Sequence, residues 1–167
     1  NTSYKEICLK ALQLFDPDIE DMMIFKSDIS NRSVEYLKHK RLGNMPLSTY
    51  GDGIKKVLVL SNAIARAANG ILLIDEIETS IHKKYYDDIF RFIVKACDAF
   101  HVQVFITTHS IEAIDGLLGT QDYKMQMTND AITVVTLKHE NNKTYSRVLS
   151  GREVFENREA FGFEVRL

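Results

Sequence analysis

Gly70-Ile71-Leu72-Leu73-Ile74-Asp75-Glu76 is the stretch on which the fold turns. Four aliphatic residues, opened by a glycine and closed by two adjacent acids, predict a strand buried on both faces. Such a strand cannot carry charge along its length, so Asp75 and Glu76 belong at its carboxyl end. In open α/β sheets the ligand crevice lies at that end. Paired carboxylates there suit a nucleotide site: one holds Mg²⁺, usually through water, and the next polarises an attacking water. An ordinary strand meeting a polar loop also ends this way, so the neighbouring segments have to decide.

Downstream, Ile77-Glu78-Thr79-Ser80-Ile81-His82 leads into an amphipathic helix over 83–100, with Tyr86, Ile89, Phe90, Ile93, Ala96, Cys97 and Phe100 on its buried face. A second buried strand, Val102-Gln103-Val104-Phe105-Ile106, ends in Thr107-Thr108-His109-Ser110, and a short helix follows over Ile111–Leu118. Upstream, Leu47-Ser48-Thr49-Tyr50-Gly51-Asp52-Gly53 opens a long helix on which Ile54, Val57, Leu58, Ser61, Ile64, Ala65 and Ala68 share one face, and Asn69-Gly70 ends it. Strand–helix–strand units of this kind predict an α/β layered core with a largely parallel sheet flanked by helices.

The flanks read differently. Residues 3–15 place Tyr4, Ile7, Cys8, Ala11, Leu12 and Phe15 at helical spacing, with Thr2 or Ser3 as N-cap and Glu6 at capping-box distance. Asp16-Pro17-Asp18 stops that helix, and a β-hairpin is expected from Met22-Met23-Ile24-Phe25 and Val34-Glu35-Tyr36-Leu37. Gly43-Asn44-Met45-Pro46 reads as a turn. Residues 131–138 and 144–149 alternate around Glu140-Asn141-Asn142-Lys143, a second hairpin, and Glu153 to Phe161 form a closing helix.

Composition narrows the field. The 167 residues suffice for one domain, with 45% hydrophobic and 26% charged residues. A net charge of −2 makes no global case for nucleic acid. Lys38, Lys40 and Arg41, Lys55 and Lys56, and Lys83 and Lys84 read as solvated faces. Cys8 and Cys97 fall at apolar helical positions without metal-ligand spacing, so buried reduced thiols and a cytoplasmic protein are expected. No apolar run approaches the ~20 residues needed to span a bilayer.

Taken in order, the segments over residues 45–118 resemble the C-terminal half of an ABC-type ATPase head, of the stand-alone AAA kind found in the SMC, RecF and OLD lineage. Phe163-Glu164-Val165-Arg166 is similar to the usual ending of these proteins. The resemblance implies a P-loop NTPase-like core, ATP as substrate and Mg²⁺ as cofactor. It makes Asp75 the Walker B acid that orders the Mg²⁺ shell, Glu76 the catalytic base that orients water, and His109 the switch histidine that touches the γ-phosphate. Ser48, Thr49, Gly51 and Gly53 occupy the signature loop, where a helix N-terminus offers backbone N–H groups to the γ-phosphate held by the opposite subunit. Two departures stand out: there is no Leu-Ser-Gly-Gly-Gln, and Asp52 sits between the glycines, as in relatives of this branch. Thr79-Ser80-Ile81-His82 matches the D-loop, with His82 where Asp is usual and Ile77 where Pro is usual.

No Gly-x-x-x-x-Gly-Lys-[Ser/Thr] phosphate loop occurs in these residues. The expectation is therefore that 1–167 is the C-terminal part of a single ABC-type ATPase domain, with a helix and hairpin over 1–44 leading in, the motif core over 45–118, and a hairpin and helix over 119–167. It would work as a head-to-tail dimer and couple its nucleotide state to a DNA-processing or defence partner, often a nuclease; alone it would bind ATP poorly. Two other readings stay open. A catalytically incomplete module used for interaction or regulation would have no need of the base at Glu76. A metal-dependent nuclease of the TOPRIM kind would need Asp-x-Asp on the second strand, which ends instead in Thr-Thr-His-Ser.

Overall fold

The parallel pair that carries the acids forms as the alternation predicts. In the computed structural model, which describes residues 4–26, 33–123 and 130–161, the elements are α1 (Tyr4–Phe15), β1 (Ile19–Lys26), β2 (Ser33–His39), β3 (Gly43–Pro46), α2 (Asp52–Arg66), β4 (Ile71–Ile74), α3 (Tyr86–Ala99), β5 (Gln103–Ile106), α4 (Ile111–Leu118), β6 (Thr133–Glu140), β7 (Lys143–Ser150) and α5 (Gly151–Phe161). Strands β4 and β5 run parallel in the register Ile71↔Gln103 to Ile74↔Ile106. Strands β1, β2 and β3 form an antiparallel sheet in that order. The architecture is mixed α/β. The expected N-cap at Thr2 or Ser3, and Phe163-Glu164-Val165-Arg166, lie outside the described residues.

The chain divides into two compact units, residues 1–107 and 108–167. In the first, α1, α2 and α3 pack on one another around the side chains that helical spacing singles out. Val57 and Ile64 of α2, Phe90 and Ile93 of α3, and Cys8 and Leu12 of α1 are fully buried, and so is Phe92, which the spacing did not single out. Burial of each large aliphatic or aromatic side chain contributes about 1.5–3 kcal/mol. Phe15 meets Phe92 edge-on at 6.1 Å, tying α1 to α3. Asn69 and His101, both in the left-handed region at φ 58° and 53°, follow α2 and α3 and turn the chain towards β4 and β5.

Two expectations are corrected here. Strand β4 is not buried on both faces: Leu72 and Ile74 are half-buried, whereas Ile71 and Leu73 are 61% and 75% exposed. Phe105 on β5, beside Leu73, is 52% exposed. An apolar run signals that both faces favour cover, not what supplies it, and among the described residues only one face is covered. Gly43–Pro46, expected as a turn, is strand β3; the turn lies one step earlier, at Lys40–Leu42. The buried His39 closes it, its Nδ1 accepting from Arg41 N–H at 3.1 Å and Leu42 N–H at 3.3 Å.

The second unit is built on the hairpin β6–β7, whose loop Asn141-Asn142 has φ of 51° and 58°. Two left-handed residues in a two-residue loop match the twist of antiparallel strands, and asparagine tolerates that backbone. Leu118, Tyr123 and Val154 form its core, with Val134 and Leu149 against them. Ser150 caps α5 reciprocally with Glu153: Ser150 N–H donates to Glu153 Oε2 at 2.8 Å, and Glu153 N–H to Ser150 Oγ at 3.2 Å. Arg158 of α5 makes a two-pronged ion pair with Asp115 of α4, one prong being Nη2 to Oδ2 at 2.5 Å.

Candidate active site

Asp75 and Glu76 follow directly on Ile74, the last residue of β4, and both side chains are exposed. The backbone leaves the strand abruptly. Glu76 has φ 44° and ψ 63°, the left-handed region, which costs an L-residue with a Cβ about 1–2 kcal/mol. A short 3₁₀ helix, Ile77–Ser80, follows it.

Thr107, one residue beyond β5, surrounds this corner with hydrogen bonds. Its N–H donates to Ile74 C=O at 2.9 Å and its C=O accepts from Ile77 N–H at 3.2 Å. Its hydroxyl accepts from Glu76 N–H at 2.9 Å and donates to Asp75 Oδ1. The motif reading took His109 from Thr107-Thr108-His109-Ser110 and missed Thr107. Extending the parallel register one step past Ile74↔Ile106 sets Asp75 beside Thr107, a relation supplied by the strand pairing and by neither segment's own pattern.

A hydrated divalent cation fits these acids. Both are hard oxygen donors, and among the described residues neither is ion-paired with a lysine or arginine that would compete for it. A second acidic cluster, Asp16, Asp18 and His39, has ligand atoms within 4.8 Å of one another. Its groups are already engaged. His39 Nε2 lies 3.4 Å from Asp16 Oδ2, Asp16 Oδ1 accepts from Asp18 N–H at 3.0 Å, and Asp18 is paired with Arg41 at 2.7 Å. It locks two turns together.

The residues that the sequence reading places in a signature loop stand at the start of α2. Ser48 and Thr49 lie in a 3₁₀ turn, Leu47–Thr49, with Thr49 Oγ1 donating to Pro46 C=O at 2.7 Å. Gly51 is the N-cap, with φ −64° and ψ 165°, and a Cβ added there would meet nothing within 4 Å. Neither backbone angle nor space in this chain requires glycine at that position. A Cβ on Gly53 would rest on the Tyr85 ring at 3.6 Å, an ordinary contact. Asp52 Oδ1 has Lys55 Nζ at 3.4 Å, which offsets part of its charge.

A cavity of about 160 Å³ opens beside the α2 N-terminus, lined by Asp52, Gly53, Lys56, Ile81, His82, Lys84, Tyr85 and Ile89. The start of α2 and the segment at Ile81-His82 therefore meet, while neither Asp75 nor Glu76 lines that cavity. His82 caps the turn Lys83–Tyr85, its Nδ1 accepting from Lys84 N–H at 3.3 Å.

His109 belongs to the second unit, two residues after Thr107 in sequence and immediately before Ser110, the N-cap of α4. Ser110 Oγ accepts from Ala113 N–H at 3.2 Å, so the helix that begins after His109 has a defined start.

Residues 9–115 match the family model described as an AAA domain, putative AbiEii toxin, Type IV TA system. Over 169 aligned residues the chain is 28% identical to an ATP/GTP phosphatase of Helicobacter pylori, covering 95% of this chain and 43% of that protein. The chain thus spans less than half the length of that relative. It is 30% identical over 118 residues to an uncharacterized protein, MJECL11, of Methanocaldococcus jannaschii, covering 98% of it. Among solved structures it resembles a chain from work on ATP-driven dimerization and DNA-stimulated activation of SMC ATPases, with TM-score 0.58 at 10% identity over 96% of this chain and 92% of that one. It also resembles the Smc head domain of Pyrococcus furiosus bound to the C-terminal domain of ScpA, with TM-score 0.52 at 11% identity over 96% of this chain and 38% of that one. At such identities the likeness shows the fold, that of an SMC ATPase head.

Proposed function

This chain is a member of that AAA-domain family, an ATPase-type nucleotide-binding family, and from that premise we propose that it supplies the water-activating part of an ATP-hydrolysing head. The observation that carries the reading is the acid pair at the carboxyl end of the parallel strands, with its second member held in a left-handed backbone. Strain of this kind persists where a side chain must be aimed rather than merely accommodated. Asp75 would hold Mg²⁺, which when bound would neutralise charge on the triphosphate. Glu76 orients the attacking water and takes up its proton as the oxygen bonds to the γ-phosphorus and ADP leaves. His109 donates to the γ-phosphate.

The signature residues Ser48, Thr49, Gly51 and Gly53 serve a second subunit. Gly51 supports this, because neither its backbone angles nor the space around it demands glycine at this N-cap, whereas a backbone approached closely by another molecule does. The dimerization named for the SMC ATPases supports a head-to-tail dimer, and ScpA bound to an Smc head supports a protein partner on a head of this fold; DNA-processing or defence partners are the class proposed. We take 1–167 as the C-terminal part of the ATPase domain. The apolar face at Ile71, Leu73 and Phe105, uncovered among the described residues, supports a partial domain, as does the 43% coverage of the H. pylori relative. No helix among the described residues is long and apolar enough to cross a membrane, and the cytoplasm is the proposed location.

Glu76→Gln in the full-length protein tests the reading. Binding of Mg-ATP is expected to persist while turnover falls by about 10²–10⁴. Wild-type turnover in that variant would remove Glu76 from the chemistry.

A further inference from the structure

We propose that Thr107 is the positioning residue of the acid pair, a claim that rests on the ATPase reading for its catalytic meaning but not for its geometry. In a regular parallel ladder a residue's N–H and C=O reach the neighbours on either side of its partner. Gln103 and Thr107 follow this on the donor side, their N–H groups donating to Gly70 C=O and Ile74 C=O, each at 2.9 Å. The next bond in that series would run from Glu76 N–H to Thr107 C=O. Instead Thr107 C=O accepts from Ile77 N–H, so one extra residue is inserted in the β4 side, as in a bulge. That residue is Glu76, and its left-handed backbone accomplishes the insertion.

The insertion would leave Glu76 N–H without its ladder acceptor. The Thr107 hydroxyl takes that place at 2.9 Å and uses its own proton on Asp75 Oδ1. One side chain therefore holds both acids: Glu76 by its backbone and Asp75 by its carboxylate. A hydroxyl is needed because the post requires an acceptor and a donor on the same atom. Valine has the same branched shape and offers neither; serine offers both.

The experiment compares Thr107→Val, Thr107→Ser and wild type in the full-length protein, with two readouts. In nucleotide-free protein, hydrogen exchange of the Glu76 amide is expected to accelerate about tenfold or more in Thr107→Val and to stay near wild type in Thr107→Ser. In steady-state turnover, Thr107→Val is expected to lower kcat about tenfold or more with KM for Mg-ATP within about threefold, and Thr107→Ser to retain most of kcat. Unchanged exchange and kcat in Thr107→Val would overturn the proposal, as would equal losses in the Val and Ser variants, which would assign the effect to the methyl group. Should wild type itself fail to hydrolyse ATP, the ATPase reading fails, and the exchange readout still decides the clamp. If Thr107→Val does not fold, Thr107→Ala is read against Thr107→Ser by the same criteria.

Discussion

Replacing Glu76 by glycine and by alanine separates the backbone cost of the site from its chemistry. Both variants delete the carboxylate, so they differ only in whether a Cβ occupies a left-handed residue at φ 44°, ψ 63°. In ordinary backbone, glycine is less stable than alanine by roughly 0.5–1 kcal/mol, because the unfolded chain gains freedom. At this position the Cβ costs about 1–2 kcal/mol, which alanine suffers and glycine does not. At mid-range values the balance favours glycine by about 0.75 kcal/mol, the reverse of the usual order. In a protein of this size or larger that difference raises the melting midpoint by about 1–4 °C. Thermal unfolding of the two variants without nucleotide measures it, with urea midpoints as a second measure. Turnover should be lost in both, since no side chain remains to orient water. An alanine variant as stable as the glycine variant, or more so, would refute the strained-corner account of Glu76.

Further outcomes follow from other parts of the chain. Gly51→Ser should leave stability unchanged or slightly raised, since serine is the better N-cap and nothing lies within 4 Å of the new Cβ, yet turnover of the assembled protein should drop at least tenfold. Wild-type turnover in that variant would show that nothing approaches this backbone. Gly151→Ala should destabilise the second unit by about 1–3 kcal/mol in chemical unfolding, because the methyl would fall on Tyr123 Oη and lie 2.9 Å from Asp130 Oδ1 and 3.1 Å from Ile132 C=O; adding Tyr123→Phe should recover part of the loss. Cys8 and Cys97, pushed up to about 11 by burial, remain thiols at neutral pH and should resist alkylation at pH 8 until the protein unfolds. Rapid labelling of the native protein would contradict their burial. Burial opposes ionisation of Asp130, but hydrogen bonds, foremost from Arg152 N–H, more than offset it and lower its pKa. Its stabilising contribution is therefore present above the unfolded pKa and lost as the pH falls through the lower folded value, and Asp130→Asn should flatten that acid limb.

Much of the fold was legible because local patterning suffices for it. The 3.6-residue spacing of Val57, Ile64, Phe90 and Ile93 marks α2 and α3, and the Asn141-Asn142 loop between alternating segments marks a hairpin. Of the basic groups read as solvated faces, Lys38 is held by Glu20 at 2.9 Å and Arg41 by Asp18 at 2.7 Å, while Lys56 and Lys84 line the cavity beside α2. The turn falls at Lys40–Leu42 because the buried ring of His39 accepts the Arg41 and Leu42 N–H groups, and Gly43, left-handed at φ 73°, leads from it into β3.

Sequence alone settled the placement of the acids, since no charge can sit within an apolar strand and the pair had to mark its end. It also marked the helices α2 and α3 and the β6–β7 hairpin, whose periods are properties of neighbouring residues. Tertiary structure decided what depends on a second strand at atomic distance. Only the pairing of β4 with β5 inserts Glu76 into the ladder, twists its backbone into the left-handed region and hands its N–H to Thr107. Which face of β4 is covered was likewise beyond the sequence, because an aliphatic run records a preference for burial and not the identity of what lies against it.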